Sequence, residues 1–193
     1  MSGPECCSNP PILNPNSGAG HVQKLGGLDT YITGPSNSKH AVLLVSEVFG
    51  MLKNKAFEDA KPVIEALKRK GVLAIGAASF CWGAKCVVEL AKSGMIQAVV
   101  LFHPSFITLD DIKGVNIPIV VLGAEIDKYF PPELVNQFEE ILTAKLGVDC
   151  YVKVVPKVSH GWTVRYNSED DVAVMAAEAA HQKLLDWFLK HVN

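Results

Sequence analysis

An apolar run that changes to a helical pattern within five residues most constrains how this chain can fold. Residues 72–78 (VLAIGAA) have the composition of a buried strand, and residues 84–90 (AKCVVEL) are compatible with a helix. Cys81 lies between them, in the motif SFCWG at residues 79–83, whose small residues permit a sharp turn. Such an elbow directs a side chain at the first amides of the helix, where partial positive charge favours a thiolate. The pattern predicts a nucleophile; the alternative is a buried, inert core thiol.

Two later segments each end a predicted strand with a residue type that a nucleophile needs. Residues 117–123 (IPIVVLG) read as a buried parallel strand, and Asp127 follows it closely. Residues 151–155 (YVKVV) read as another strand, and His160 lies on the loop beyond it. The carboxyl ends of parallel strands form the edge where ligands bind. The order nucleophile, acid, histidine therefore predicts a Cys-His-Asp triad in which histidine takes the thiol proton and aspartate orients the histidine.

A second histidine competes for the same role. His103 follows the short apolar run at residues 98–102 (AVVLF), so it also stands at a strand end. We rank it below His160, because the order acid then histidine favours the later residue.

With these residues the chain resembles the dienelactone hydrolase family, and in particular its plant-type, carboxymethylenebutenolidase-like members. These are cysteine enzymes of the α/β-hydrolase superfamily that open lactones and esters. The motif at residues 80–83 is similar to the family's nucleophile motif, Asp127 to its triad acid, and residues 160–162 (HGW) to its histidine motif. Ser79 stands where the family motif usually has its first glycine. The resemblance ranks His160 above His103 a second time.

The resemblance assigns further roles to an early segment, residues 46–50 (SEVFG). Glu47 follows a predicted strand at residues 41–45, and in the family a glutamate there modulates the cysteine thiol and its proton. The backbone amides of Val48 and Trp82 are expected to form the oxyanion hole. The alternative is that Glu47 is an exposed loop carboxylate without a functional role.

One departure from the family pattern affects the fold. Relatives carry several tens of residues after the position of Gly50, including a helix, a central strand and a loop that supplies a substrate-binding arginine, whereas here a predicted helix begins near residue 56. We expect an α/β-hydrolase-like, mostly parallel sheet flanked by helices that lacks one central strand and one helix. Either the early strands, predicted as an antiparallel pair near residues 25–35, pair directly with the rest of the sheet, or an edge and an apolar face stay open.

Three function hypotheses follow. The leading one is hydrolysis of a small ester or lactone, with Phe49, Trp82 and Trp162 lining an apolar pocket and Arg165 anchoring an acidic group. Arg165 has the equal alternative of a solvated loop cation. The second is glycoside hydrolysis, a label that some plant relatives carry, which needs two carboxylates facing one cleft. The third is a catalytically impaired short variant that acts as a non-catalytic binding protein.

Composition limits the classes of partner. With 193 residues, 49% hydrophobic and 20% charged, the chain can bury a sizeable core, and we expect an extended arm at residues 1–16 and one domain at residues 17–193. A net charge of -2 provides no basic field for nucleic acid. No run is long enough to span a bilayer, and no signal peptide is recognisable, so we expect no membrane partner and a cytoplasmic location. We expect a monomer or a weak dimer.

Five scattered cysteines cannot all pair and suit a reducing compartment. Cys86, on the helix after the elbow, reads as a core residue. Their spacing predicts no zinc site, and the absence of a phosphate loop or dinucleotide fingerprint implies no cofactor.

Overall fold

The computed structural model describes residues 18–45 and 55–193. In chain order the elements are β1 His21–Leu25, β2 Leu28–Ile32, β3 His40–Val45, α1 Ala56–Arg69, β4 Ala74–Phe80, α2 Gly83–Lys92, β5 Ala98–Phe102, α3 Leu109–Lys113, β6 Ile119–Ile126, α4 Pro132–Thr143, β7 Cys150–Ser159 and α5 Asp171–His191. The predicted arm at residues 1–16 lies outside the described residues and stays a prediction.

Strands β3 to β7 form one parallel sheet in the order in which they occur along the chain. Helices lie between successive strands, because a parallel pair needs a long crossover connection. All five carboxyl ends therefore meet at one edge of the sheet. The predicted α/β-hydrolase-like architecture of a mostly parallel sheet flanked by helices is confirmed.

The core lies in two layers, one on each face of the sheet. Alternate residues of β4, β5 and β6 enter a cluster with α1, α2 and α4, and the residues between them enter a second cluster with α5. Strand β5 is buried along its whole length, which explains its continuous apolar sequence. Gly76 lets α5 approach β4 closely, since a Cβ there would lie 2.7 Å from the ring of Phe188.

A hydrogen-bonded network joins α2 to α3 beside the sheet. Asp111 forms a capping box with Thr108 at the start of α3 and accepts from Lys85 Nζ at 2.6 Å. Burial alone raises the pKa of Asp111, but the hydrogen bonds from Lys85 and Thr108 outweigh it and lower the pKa to about 2.

Strands β1 and β2 form the predicted antiparallel pair, but as a separate two-stranded sheet. Leu25 packs on Val63 and Ala66 of α1, so the hairpin rests on that helix. Within the described ranges 18–45 and 55–193, β3 pairs with β4 alone and forms an edge of the large sheet. Val42 and Leu44 on this edge strand are 44% and 60% exposed. Of the two alternatives that the sequence left open, the structure has the open edge.

Among the boundaries that differ from the sequence prediction, two have a clear physical reason. Strand β7 continues past residue 155 to Ser159, because Pro156 falls at a bulge on an edge strand, where no ladder hydrogen bond is required of it. Helix α5 begins at Asp171 rather than at residue 168. Asp170 caps it, with its carboxylate accepting from the backbone amides of Val172 and Ala173.

Candidate active site

The predicted elbow is present at the junction of β4 and α2. Cys81 has a φ of +51°, a left-handed conformation that is uncommon for a residue with a side chain, and it is 2% exposed. Its backbone N–H donates to the carbonyl of Phe102 at 3.1 Å, and its own carbonyl accepts from the amides of Ala84 and Ser105. These three hydrogen bonds hold the strained turn between β4, α2 and the segment after β5. Positive φ maintained by surrounding contacts is typical of a nucleophile elbow.

The residue after the elbow lies at the amino terminus of α2. Trp82 is the N-cap of that helix and is partly buried, so its amide belongs to the positive end of the helix dipole. This position suits the oxyanion role predicted for it, which stays a prediction. Its predicted partners at this edge, Glu47, Val48 and Phe49, lie outside the described residues.

His160 and Asp127 form a buried pair. Their Nδ1 and Oδ2 atoms are 2.7 Å apart, and neither side chain is exposed. The other carboxylate oxygen of Asp127 accepts from the backbone amides of Tyr129 and Phe130, at 2.8 and 3.1 Å. These donors hold Asp127 in one orientation, with Oδ2 placed to accept a hydrogen bond from the Nδ1–H of His160.

The consequence concerns the other ring nitrogen of His160. With Nδ1 protonated, Nε2 carries a lone pair in the neutral ring. Nε2 is buried and, within the described part of the chain, makes no hydrogen bond. The ring of Tyr129 contacts the imidazole edge to face, at 5.2 Å between centroids. The pair therefore presents a proton acceptor at the carboxyl edge of the sheet.

His103 lies beside this pair and, among the residues that the structure describes, has no carboxylate partner. It is fully buried, its Nε2 is 2.9 Å from Thr163 Oγ1, and its ring is 5.0 Å from that of His160. Burial, followed by the proximity of His160 and Arg165, lowers the pKa of His103 well below its usual range. His103 is thus neutral at physiological pH. The structure pairs Asp127 with His160, as the strand-end order predicted.

Sequence reasoning missed Ser105. Its hydroxyl is 3.5 Å from Cys81 Sγ, and its side chain is buried. The segment after β5 carries two further positive-φ residues, His103 at +35° and Phe106 at +62°. The sequence signal was a serine two residues after a strand-end histidine, which alone does not indicate contact with the elbow.

The two remaining predicted site residues follow His160. Trp162 is 5% exposed and packs in the core cluster beneath α5, so a substrate-lining role for its ring stays a prediction. Arg165 is partly buried, and its guanidinium lies over the backbone of Gly161, where a Cβ would be 2.5 Å from Nη2. Gly161 has a φ of +92°, so the turn and the close packing both favour glycine.

The described residues offer neither a metal site nor a membrane-spanning helix. Across residues 18–45 and 55–193, no three His, Cys, Asp or Glu side chains cluster so as to hold a metal ion. None of the helices in these ranges is long and apolar enough to cross a membrane. Cys86 is a buried core residue, as predicted, and burial raises the pKa of its thiol to about 12.

Comparison with known proteins places this site in a family context. Residues 53–192 match the model of the dienelactone hydrolase family. The chain is 33% identical to an endo-1,3;1,4-beta-D-glucanase from Zea mays, over 72% of this chain and 61% of the relative. It is 31% identical to a carboxymethylenebutenolidase homologue from Xenopus tropicalis, over 72% of this chain and 58% of the relative. The chain thus spans about three fifths of the length of these relatives.

Solved structures share the fold at low sequence identity. A dienelactone hydrolase from Klebsiella pneumoniae superposes with a TM-score of 0.60 and 19% identity, over 71% of this chain and 61% of that one. A dienelactone hydrolase-like promiscuous phosphotriesterase from metagenomic libraries superposes with a TM-score of 0.65 and 16% identity, over 91% and 100% of the two chains. Since the family match extends over well more than half of the residues, this chain belongs to the dienelactone hydrolase family.

Proposed function

We propose that this protein is a cysteine-dependent hydrolase of small esters or lactones that uses Cys81, His160 and Asp127. The observation that carries the proposal is the buried His160–Asp127 pair, 2.7 Å apart, at the same sheet edge as a cysteine on a strained elbow. Asp127 fixes the tautomer in which Nε2 of His160 can accept a proton. Membership of the dienelactone hydrolase family supports the same chemistry.

In the proposed reaction, His160 Nε2 takes the proton of the Cys81 thiol, and Sγ attacks the carbonyl carbon of the substrate. The carbonyl oxygen becomes an oxyanion, which the amide of Trp82 and the predicted amide of Val48 stabilise. The tetrahedral intermediate expels the alcohol oxygen, which takes the proton from His160 and leaves a thioester on Cys81. In a lactone the alcohol remains tethered to the acyl group.

Water completes the cycle. His160 takes a proton from a water molecule, whose oxygen attacks the thioester carbonyl, and the carbon–sulfur bond breaks to release the carboxylic acid. The proton on His160 then returns to the Cys81 sulfur. Throughout both half-reactions Asp127 stabilises the transient imidazolium through its hydrogen bond with Nδ1.

We further propose that Arg165 anchors an acidic group of the substrate. Its guanidinium lies over the backbone of Gly161, the residue after His160, and this proximity supports a role near the proposed catalytic histidine. Phe49 and Trp162 would supply apolar contact to the rest of a small substrate.

Hydrolysis of a small aryl ester and of a dienelactone by the purified, folded protein tests the proposal. We expect activity that both Cys81→Ala and His160→Ala abolish. Cys150→Ala is the matched control, because Cys150 begins β7 at the opposite edge of the sheet, and this variant should keep its activity. Activity that survives Cys81→Ala would contradict the mechanism.

The similarity to the maize endo-1,3;1,4-beta-D-glucanase favours one other candidate, hydrolysis of a 1,3;1,4-beta-glucan. Such chemistry needs an acid and a second carboxylate that are both available to the sugar. Asp127 is a poor candidate for either, because both of its oxygens already accept hydrogen bonds. The same assay with a mixed-linkage glucan separates the two reactions. A folded protein inactive on every substrate would favour a non-catalytic binding protein.

A further inference from the structure

A serine hydroxyl lies within hydrogen-bond distance of the candidate nucleophile. Ser105 Oγ is 3.5 Å from Cys81 Sγ, an ordinary separation for a hydrogen bond to sulfur, and the two residues are each 2% exposed. Among the described residues the hydroxyl has no other hydrogen-bond partner. The contact is therefore buried, and Cys81 Sγ is the one partner of the Ser105 hydroxyl among these residues.

The backbone fixes this contact independently of the two side chains. The amide of Ser105 donates to the carbonyl of Cys81 at 3.0 Å, and the amide of His103 donates to the carbonyl of Leu122 at 2.8 Å. Pro104 restricts the chain between these two anchors. The positive φ values of His103 and Phe106 lie on either side of Ser105. Strain of this kind persists only where surrounding contacts impose it.

The direction of the hydrogen bond depends on the charge of the sulfur. When Cys81 is a thiol, either group is able to donate, but a thiolate has no proton and can only accept. Ser105 then has one suitable role, which is to donate its hydroxyl proton to the negative sulfur. A hydrogen bond made to the charged form is stronger than one made to the neutral form and favours ionisation.

We propose that Ser105 is a hydrogen-bond donor to the Cys81 thiolate and thus a catalytic residue additional to the triad. The inference rests on the proposed function, in which Cys81 is the nucleophile. Ser105 stabilises the thiolate that forms when His160 takes the thiol proton, and it stabilises the thiolate again when the thioester is cleaved.

Other ionisable groups follow strands at the same edge of the sheet. His103 follows β5, Asp127 follows β6, and His160 and Arg165 follow β7, while Glu47, after β3, lies outside the described residues. Each is unchanged in a variant at Ser105. A difference between such a variant and the wild type therefore reports on the hydroxyl.

The test is the rate at which iodoacetamide alkylates Cys81 between pH 5 and 10, measured by mass spectrometry of the Cys81 peptide. For Ser105→Ala we expect a profile displaced to higher pH and alkylation at pH 7 that is slower by at least about tenfold, near the lower limit for a hydrogen bond to a charged group. Ser79→Ala is the matched control, because Ser79 is buried in β4 and its hydroxyl has no hydrogen-bond partner within the described residues. Its profile should equal that of the wild type.

Two variants of equal shape separate the loss of the hydroxyl from an effect on folding. Ser105→Thr keeps the hydroxyl and Ser105→Val replaces it with a methyl group, so both fill the same volume. We expect the threonine variant to alkylate at least about tenfold faster at pH 7 than the valine variant. Equal profiles for the pair, or for Ser105→Ala and Ser79→Ala, would overturn the proposal.

Alkylation needs no substrate, so this experiment is independent of hydrolysis. If the Ser105→Ala alkylation profile is displaced but the wild-type protein hydrolyses no ester, the proposed function is refuted and the proposed Ser105–Cys81 hydrogen bond is supported. If ester hydrolysis requires Cys81 but the Ser105→Ala profile is unchanged, the proposed function is supported and the role of Ser105 is refuted.

Discussion

Replacing Asp127 with asparagine removes one acceptor from a carboxylate that accepts three hydrogen bonds. The backbone amides of Tyr129 and Phe130 donate to Oδ1, and His160 Nδ1 lies 2.7 Å from Oδ2. Asparagine has a single oxygen. If that oxygen faces the two amides, its NH2 group faces Nδ1 and forces the imidazole proton onto Nε2. His160 is then unable to take the thiol proton.

The opposite orientation restores the useful tautomer at a high cost. The asparagine NH2 would then face the partly buried amide of Tyr129 and the buried amide of Phe130, each of which costs about 1–3 kcal/mol when it has no acceptor. The orientation with the wrong tautomer is favoured by about 2–6 kcal/mol, or about 30-fold to 10⁴-fold in population. Loss of the charge beside the forming imidazolium adds to this, so we expect kcat/KM to fall by about 10³-fold or more.

The assay is aryl ester hydrolysis near pH 8, with the melting temperature as a check on folding. The control is Asp110→Asn, which neutralises an aspartate whose side chain is 88% exposed and is paired with Lys113 on α3. This control should keep kcat/KM within about twofold, as expected for a surface ion pair. A folded Asp127→Asn variant that retains more than a tenth of the activity would refute the tautomer argument.

Three further predictions concern the Arg165 anchor, the Asp111 network and the buried His103. Gly161→Ala and Gly147→Ala each introduce a side chain at positive φ and should each cost about 1–2 kcal/mol in urea unfolding, but only the Gly161 variant displaces the Arg165 guanidinium. It alone should raise KM for a carboxylate-bearing ester, and an equal KM in both would contradict the Arg165 anchor. With a folded-state pKa of about 2 against an ordinary 3.8, Asp111 should contribute about 2 kcal/mol above pH 4. That contribution is lost as the pH falls towards 2, and acid unfolding of Asp111→Asn should lack this component. Because burial lowers the pKa of His103, the unfolded chain takes up a proton below about pH 6.5 that the folded chain excludes. Stability should therefore fall from pH 7 to 5, and less steeply in His103→Gln; parallel curves would contradict a neutral His103.

The elbow and the His160–Asp127 pair were predictable because they depend on local patterns. The sequence changes from a strand-like to a helix-like run at Cys81, and parallel strands bring their carboxyl ends to one edge whatever their side chains. The contact of Ser105 with Cys81 was not predictable in this way. It depends on a hydrogen bond between the backbones of two segments that are 24 residues apart and on the strained turn at His103.

The length of β7 was missed for a related reason. Pro156 reads as the end of a strand, because proline cannot donate to a ladder. The structure accommodates it at a bulge opposite residues 124–126, where Lys157 adopts a φ of +61° and its amide donates to the carboxylate of Glu125 at 2.6 Å. Only the position of β7 at the sheet edge makes this possible, and strand order is a property of the whole fold.

The absence of the block that relatives carry has different consequences for the sheet and for the candidate site. The resemblance places the absent block between β3 and α1, and β3 is the strand whose Val42 and Leu44 are exposed. Cys81, Asp127 and His160 follow β4, β6 and β7, and Ser105 follows the fully buried β5. Because β3 pairs only with β4 among residues 18–45 and 55–193, the exposure of β3 bears on stability more directly than on the geometry of the candidate triad. Variants that stabilise the β3 edge should therefore change stability with little effect on catalysis. Variants of the candidate triad should change catalysis with little effect on stability.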